Sequence, residues 1–157
     1  VAKAVAKGWG DLPKARLVKR LERRLEVDLS RHEARGLTGE TGGVAEVGHD
    51  AWVVVEIETK HGHPVERVIR YWPWLDRNRR RMVLVHVIPA RARKRDRSRS
   101  ELTTWLGALM ERVLPGRFSY CRIELDTTAE ADQLEAARSS ITELRQPRRK
   151  RSPAAGL

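Results

Sequence analysis

The chain has 157 residues, 40% of them hydrophobic and 34% charged, and its 32 Lys and Arg against 21 Asp and Glu give a formal charge of +11. That length suits one domain with its own core, and the hydrophobic share excludes a disordered polyelectrolyte. No apolar run reaches the roughly 20 residues that a bilayer-spanning helix needs, so the charge excess points to a polyanion, most simply DNA or RNA, and not to a membrane.

Taken in chain order, Asp11-Leu12-Pro13 has the signature of a helix start, with Asp as cap and Pro in the first turn. Leu17, Val18, Leu21 and Leu25 recur at helical spacing, which predicts a helix of about four turns to Leu29. Gly36, Gly39, Gly42 and Gly43 then mark a loop. Val44 to Val47 and Trp52 to Lys60 read as strands joined by a turn at Gly48-His49-Asp50. Pro64 opens a second helix carrying Val65, Val68, Ile69 and Trp72 and running into Pro73. Met82 to Ile88 is a short apolar run typical of a buried central strand, and residues 91–99 are expected to form a solvated loop.

A third helix is predicted from Ser100, with Leu102, Trp105, Leu106, Leu109, Met110 and Val113 as its apolar face and Trp105 in the core. Phe118 to Leu125 alternates like a strand, with Phe118, Tyr120, Arg122 and Glu124 on one side. Leu134, Ala137, Ile141 and Leu144 place a last helix ahead of a basic tail. The expected organisation is a single α/β domain over 1–146 and a flexible tail over 147–157. The domain is expected to be a mixed central sheet flanked by helices on both faces. The single cysteine, Cys121, and the lack of Cys/His zinc spacing fit an intracellular setting, cytoplasm or nucleoid.

Charge is unevenly spread along this frame. Twelve Arg or Lys face three acids over residues 65–99, whereas residues 37–64 hold Glu40, Glu46, Asp50, Glu56 and Glu58 against Lys60 alone. Phosphate repels such an acidic island unless a cation sits there. Within it, Trp52-Val-Val-Val-Glu56-Ile-Glu58-Thr-Lys60 is the sharpest feature. Alternation puts Val53, Val55 and Ile57 on the core side and Trp52, Val54, Glu56, Glu58 and Lys60 on the other. Desolvating carboxylates costs several kcal/mol each unless they are paired or metal-bound. That face is therefore either open to water, as polar outer faces often are, or a divalent-cation site.

The run Glu58-Thr59-Lys60, at the end of a hydrophobic strand, resembles the second half of the signature of the PD-(D/E)xK, or restriction-endonuclease-like, nuclease superfamily. The order of elements from about residue 12 to 90, extending toward 125, is similar to that superfamily's core. The resemblance implies Mg²⁺- or Mn²⁺-dependent hydrolysis of phosphodiesters, DNA before RNA, with Glu58 as metal ligand and Lys60 as the catalytic lysine. Glu56-Ile57-Glu58 also matches a variant motif in which Glu56 shares the role. The first half of the signature departs from the pattern, because no Pro-Asp precedes the strand. Asp50, eight residues from Glu58 on an extended chain, would lie about 26 Å away and fits better in the turn. A turn near His49 would set Glu40 across from Glu58 and a longer loop would favour Glu46, so these two rank level as the first acid.

Glu22 and Glu26 are weaker candidate ligands, read first as a solvated helix face. His61 and His63 could shuttle a proton, although His63 before Pro64 reads more simply as a cap. Arg67, four residues before Tyr71, and Arg70 are candidates for facing phosphate. Arg79, Arg80 and Arg81, and then Arg93, Lys94 and Arg95, are expected to flank the acidic strand and grip phosphates. Trp72 reads as packing, and Trp74 as packing or a base-stacking platform. A homodimer would suit two-strand cleavage. Two rival readings use the same residues: a non-catalytic nucleic-acid-binding protein, and a basic adaptor that binds a protein partner.

Overall fold

The structure, a computed structural model, describes residues 12–29, 42–48, 50–58, 64–89 and 97–147. Its elements follow the order α1 (Lys14–Leu25), β1 (Gly43–Gly48), β2 (Ala51–Ile57), α2 (Pro64–Asn78), β3 (Arg81–Ile88), α3 (Arg97–Val113), β4 (Phe118–Glu124) and α4 (Glu130–Arg145). The four strands form one sheet in the order β1-β2-β3-β4, in which β1 and β2 make an antiparallel hairpin and β2, β3 and β4 run parallel. The fold is α/β, a mixed sheet with four helices packed against it, and among the described residues no helix is long and apolar enough to cross a membrane.

The two-residue pleat period divides the core into two layers. Val53, Val55 and Ile57 of β2, Val83, Val85 and Val87 of β3 and Ile123 of β4 meet α1 through Leu17, Leu21 and Leu25, and α4 through Leu134, Ala137, Ile141 and Leu144. On the opposite face Val54, Met82, Leu84 and Phe118 meet Val68, Tyr71, Trp74 and Leu75 of α2 and Leu106 and Met110 of α3. The central strands are thus covered on both sides, which explains the apolar run in β3, broken between Met82 and Ile88 only by His86.

Three local readings of the sequence give way to the structure. The first helix stops at Leu25, a turn earlier than expected, because Glu26 adopts a left-handed conformation (φ 55°). Val27 and Leu29 then enter the core from extended chain, and the Leu29 amide donates to Glu22 Oε1 at 2.9 Å. The second helix continues through Pro73 to Asn78. A proline removes one amide donor, aimed four residues back, and here that position is the half-exposed Ile69, while burial of Trp74 and Leu75 rewards continuation. The third helix starts at Arg97 and turns a different side inward. Thr103, Leu106, Gly107 and Met110 are covered, whereas Trp105 is 57% exposed alongside Leu102 and Val113. The expectation that Trp105 lies in the core is therefore corrected. Trp105→Lys should change unfolding free energy by less than about 0.5 kcal/mol, the range of an ordinary surface substitution, in urea denaturation.

Candidate functional site

On the α2/α3 side of the sheet the side chains change character along the strands. At the amino end stand Trp52, Met82 and Phe118, followed by Val54, Leu84 and Tyr120. Next comes a row of polar groups in lateral register, with Glu56 beside His86 and His86 beside Arg122. Glu58 follows beyond it, its amide bonded to the Val87 carbonyl at 2.9 Å, which keeps it in the ladder past the formal end of β2. These groups sit at the carboxyl edge of the parallel strands, where open α/β sheets place their ligand sites. They are not open to solvent: Glu56 is 3% exposed, His86 2% and Glu58 9%.

Each buried group is held by named partners. Tyr71 of α2 donates its hydroxyl to Glu56 Oε1. Ser100, in the first turn of α3, donates to the Glu58 carboxylate at 3.3 and 3.2 Å, and the positive end of that helix favours a carboxylate there. His86 Nε2 lies 3.3 Å from Glu58 Oε2, near enough for an ion pair, yet it makes no hydrogen bond. On its other side His86 Nδ1 meets Tyr120 Oη at 2.7 Å. Burial, reinforced by the Glu58 charge, pushes the Tyr120 hydroxyl up to about 12, so it remains a neutral phenol. Arg122 donates to Thr104 Oγ1 at 2.5 Å and to the Ser100 carbonyl at 3.3 Å, and pairs with Glu124 at 2.8 Å. The result is a polar chain from β2 to β4 under the start of α3.

The residues singled out in the sequence scatter around this cluster. Glu56 and Glu58 are both in it. Glu46 is not: it pairs with Trp52 in the hairpin and is exposed, six strand residues and roughly 20 Å from Glu58. Asp50 occupies the turn in a left-handed conformation (φ 59°), as expected. Glu22 on α1 and Glu26 just past its end lie on the other side of the sheet, where Glu26 pairs with Arg138.

Of the basic candidates, Arg79, Arg80 and Arg81 stand at the amino end of β3, with Arg81 opposite Ala51 and so roughly 20 Å or more from Glu58. They do not flank the acidic end of the strand, because a parallel neighbour starts beside the beginning of β2 and not beside its end. Arg80 lies over the rings of Trp52 and Trp74, 5.3 and 5.2 Å from their centroids, and Arg81 donates to the Gln146 carbonyl at 3.1 Å. Trp74 is buried edge-on against Trp52, with centroids 6.1 Å apart, so it is packing and no base-stacking platform. Arg70 is half-buried on α2. Glu40, Lys60, His61, His63, Arg93, Lys94 and Arg95 lie outside the described residues, as does the side chain of Arg67.

His86, Ser100, Tyr120 and Arg122 were not singled out as site residues in the sequence. Two signals pointed to them. His86 is the one titratable residue inside Met82–Ile88, and Tyr120 and Arg122 share the inward phase of an alternating strand. Among the described residues no three His, Cys, Asp or Glu side chains converge as a complete metal cage. The carboxylate of Glu58 and the imidazole of His86 are nonetheless a chemically suitable pair of donors for a divalent cation. No protein-family model, no curated protein and no solved structure matches the chain.

Proposed function

We propose that this chain is a divalent-metal-dependent nuclease of restriction-endonuclease-like architecture that hydrolyses DNA phosphodiester bonds at the carboxyl edge of its sheet. The observation that carries the reading is Glu58, a carboxylate withdrawn from water at the end of the central strand β2, under the amino end of α3 and two residues before Lys60. A buried carboxylate beside an orphaned imidazole nitrogen is costly unless something cationic compensates it. In this reading Glu58 and an upstream acid hold Mg²⁺ or Mn²⁺, which when bound polarises the scissile phosphate and lowers the pKa of water. Glu56 takes a positioning role, since Tyr71 already occupies one of its oxygens. Lys60 steadies negative charge on the phosphate. The excess of 11 positive charges draws DNA to the protein.

The chain should linearise or degrade plasmid DNA in the presence of Mg²⁺ or Mn²⁺ and stop on addition of EDTA. Glu58→Gln and Lys60→Ala should each lower the cleavage rate on the order of 10²-fold or more while DNA affinity stays within a few-fold. Full activity in Glu58→Gln would remove the hydrolytic reading. A second reading, non-catalytic binding, draws on the position of Arg79, Arg80 and Arg81 at the sheet end remote from Glu58. It expects steep salt dependence of binding, lost with those arginines, and no cleavage with any metal.

A further inference from the structure

The contacts of His86 leave one of its two ring nitrogens without a hydrogen-bond partner. Thr104 Oγ1 spends its own proton on the Ser100 carbonyl at 2.9 Å and accepts from Arg122. Tyr120 Oη meets His86 Nδ1 at 2.7 Å, so that nitrogen has its partner whichever of the two supplies the proton. His86 Nε2 faces the Glu58 carboxylate, 3.3 Å from Oε2, with no hydrogen bond of its own, while among the described residues that carboxylate accepts only from Ser100. A buried imidazole nitrogen and a carboxylate oxygen at that distance need a proton or a metal cation between them.

The spacing suits one. With metal–ligand bonds of about 2.1 Å, a 3.3 Å separation subtends an angle of about 105°, close to tetrahedral. Metal-bound histidines characteristically donate their second nitrogen's proton to an oxygen, which is the role left to Nδ1 here.

We propose that His86 Nε2 and the Glu58 carboxylate together form a mixed nitrogen–oxygen cation site that takes Zn²⁺ or Mn²⁺ in preference to Mg²⁺. Imidazole is a borderline ligand that the harder Mg²⁺ seldom accepts, whereas Zn²⁺ readily takes nitrogen and oxygen together. The inference rests on the reading of Glu58 as a cation ligand and adds to it the residue that chooses the cation. Tyr120, which meets Nδ1 at 2.7 Å, is a positioning residue that holds the imidazole ring.

The test uses the full chain without nucleic acid, so that it is independent of cleavage. Calorimetric titration with Zn²⁺, Mn²⁺ or Mg²⁺ alone should show Zn²⁺ and Mn²⁺ binding at least ten-fold more tightly than Mg²⁺. His86→Gln should weaken Zn²⁺ at least ten-fold and leave Mg²⁺ within two-fold. In the unaltered protein, ¹⁵N resonances should show Nδ1 protonated and Nε2 shifted by Zn²⁺, a readout that does not depend on how His86→Gln folds. Equal affinities for the three ions, or an Nε2 that keeps its proton when Zn²⁺ is added, would overturn the proposal and make the contact a plain ion pair. Such a result leaves cleavage supported by Mg²⁺ untouched, whereas tight Zn²⁺ binding by a chain that cuts no DNA would sink the nuclease reading alone.

Discussion

Substituting Glu40→Gln is expected to slow metal-dependent DNA cleavage on the order of 10²-fold or more, and Glu46→Gln to leave it within about two-fold. The asymmetry follows from the hairpin register, which pairs Gly43 with Val55, Val44 with Val54, Ala45 with Val53 and Glu46 with Trp52. Each residue back along β1 advances one residue along β2, so β1 runs back from Gly43 toward the Glu58 end of β2, and Glu40 precedes Gly43 by three residues in sequence whereas Glu46 follows it. The turn observed at Asp50, between Gly48 and Ala51, agrees with the short hairpin for which the sequence placed Glu40 across from Glu58. A carboxylate pair is what a phosphodiester-cleaving cation requires, and Glu46, at the opposite end of the strand, cannot supply its second member. Parallel cleavage assays on both variants, with DNA affinity measured alongside, decide between the two acids. Comparable losses from both would show that the register does not govern the site.

The variant Gly107→Ala is expected to destabilise the fold by about 1–3 kcal/mol, although alanine in a helix interior ordinarily stabilises by about 1 kcal/mol relative to glycine. Gly107 sits on the buried side of α3 directly over Tyr120. A methyl group there would come within 2.7 Å of Tyr120 Cδ1 and closer still to other ring carbons. The ring has to move, and with it the hydroxyl that holds His86 Nδ1. Denaturant unfolding of Gly107→Ala, of Tyr120→Ala and of the double variant forms a cycle. The loss should fall to below about 1 kcal/mol when the ring is absent, because the methyl then has space. A stabilised Gly107→Ala would contradict the close approach of Tyr120 to α3.

Much of the frame was legible because it depends on short-range periodicity. The order of elements, the inward phase of Val53, Val55 and Ile57 and the alternation of Phe118 to Leu125 all follow from local pattern. What failed needed tertiary context. Trp105 satisfies the same helical spacing as Leu106 and Met110, and only the direction from which the sheet approaches α3 selects one stripe over the other. Arg79, Arg80 and Arg81 are near the acidic strand in sequence but at its far end in space, because strand direction is a property of the whole sheet. Glu56 and Glu58 stood out as costly interruptions of an apolar strand. Their partners did not, because the pairing of β2 with β3 and β4 is long-range, and it alone brings His86, Tyr120 and Arg122 to the same place. The sequence posed two possibilities for that face, solvent or a site. Burial of Glu56 and Glu58 eliminates an open, solvated face.

Paramagnetic broadening by substoichiometric Mn²⁺ in the amide spectrum of the ¹⁵N-labelled chain locates cation binding most directly. The account predicts selective loss of signal at residues 56–58, 86–88 and 100–104, around the carboxyl edge, with residues 44–48 and 79–82 unaffected. Broadening centred on Glu46 and the amino ends of the strands, or spread evenly over the acidic surface, would contradict it.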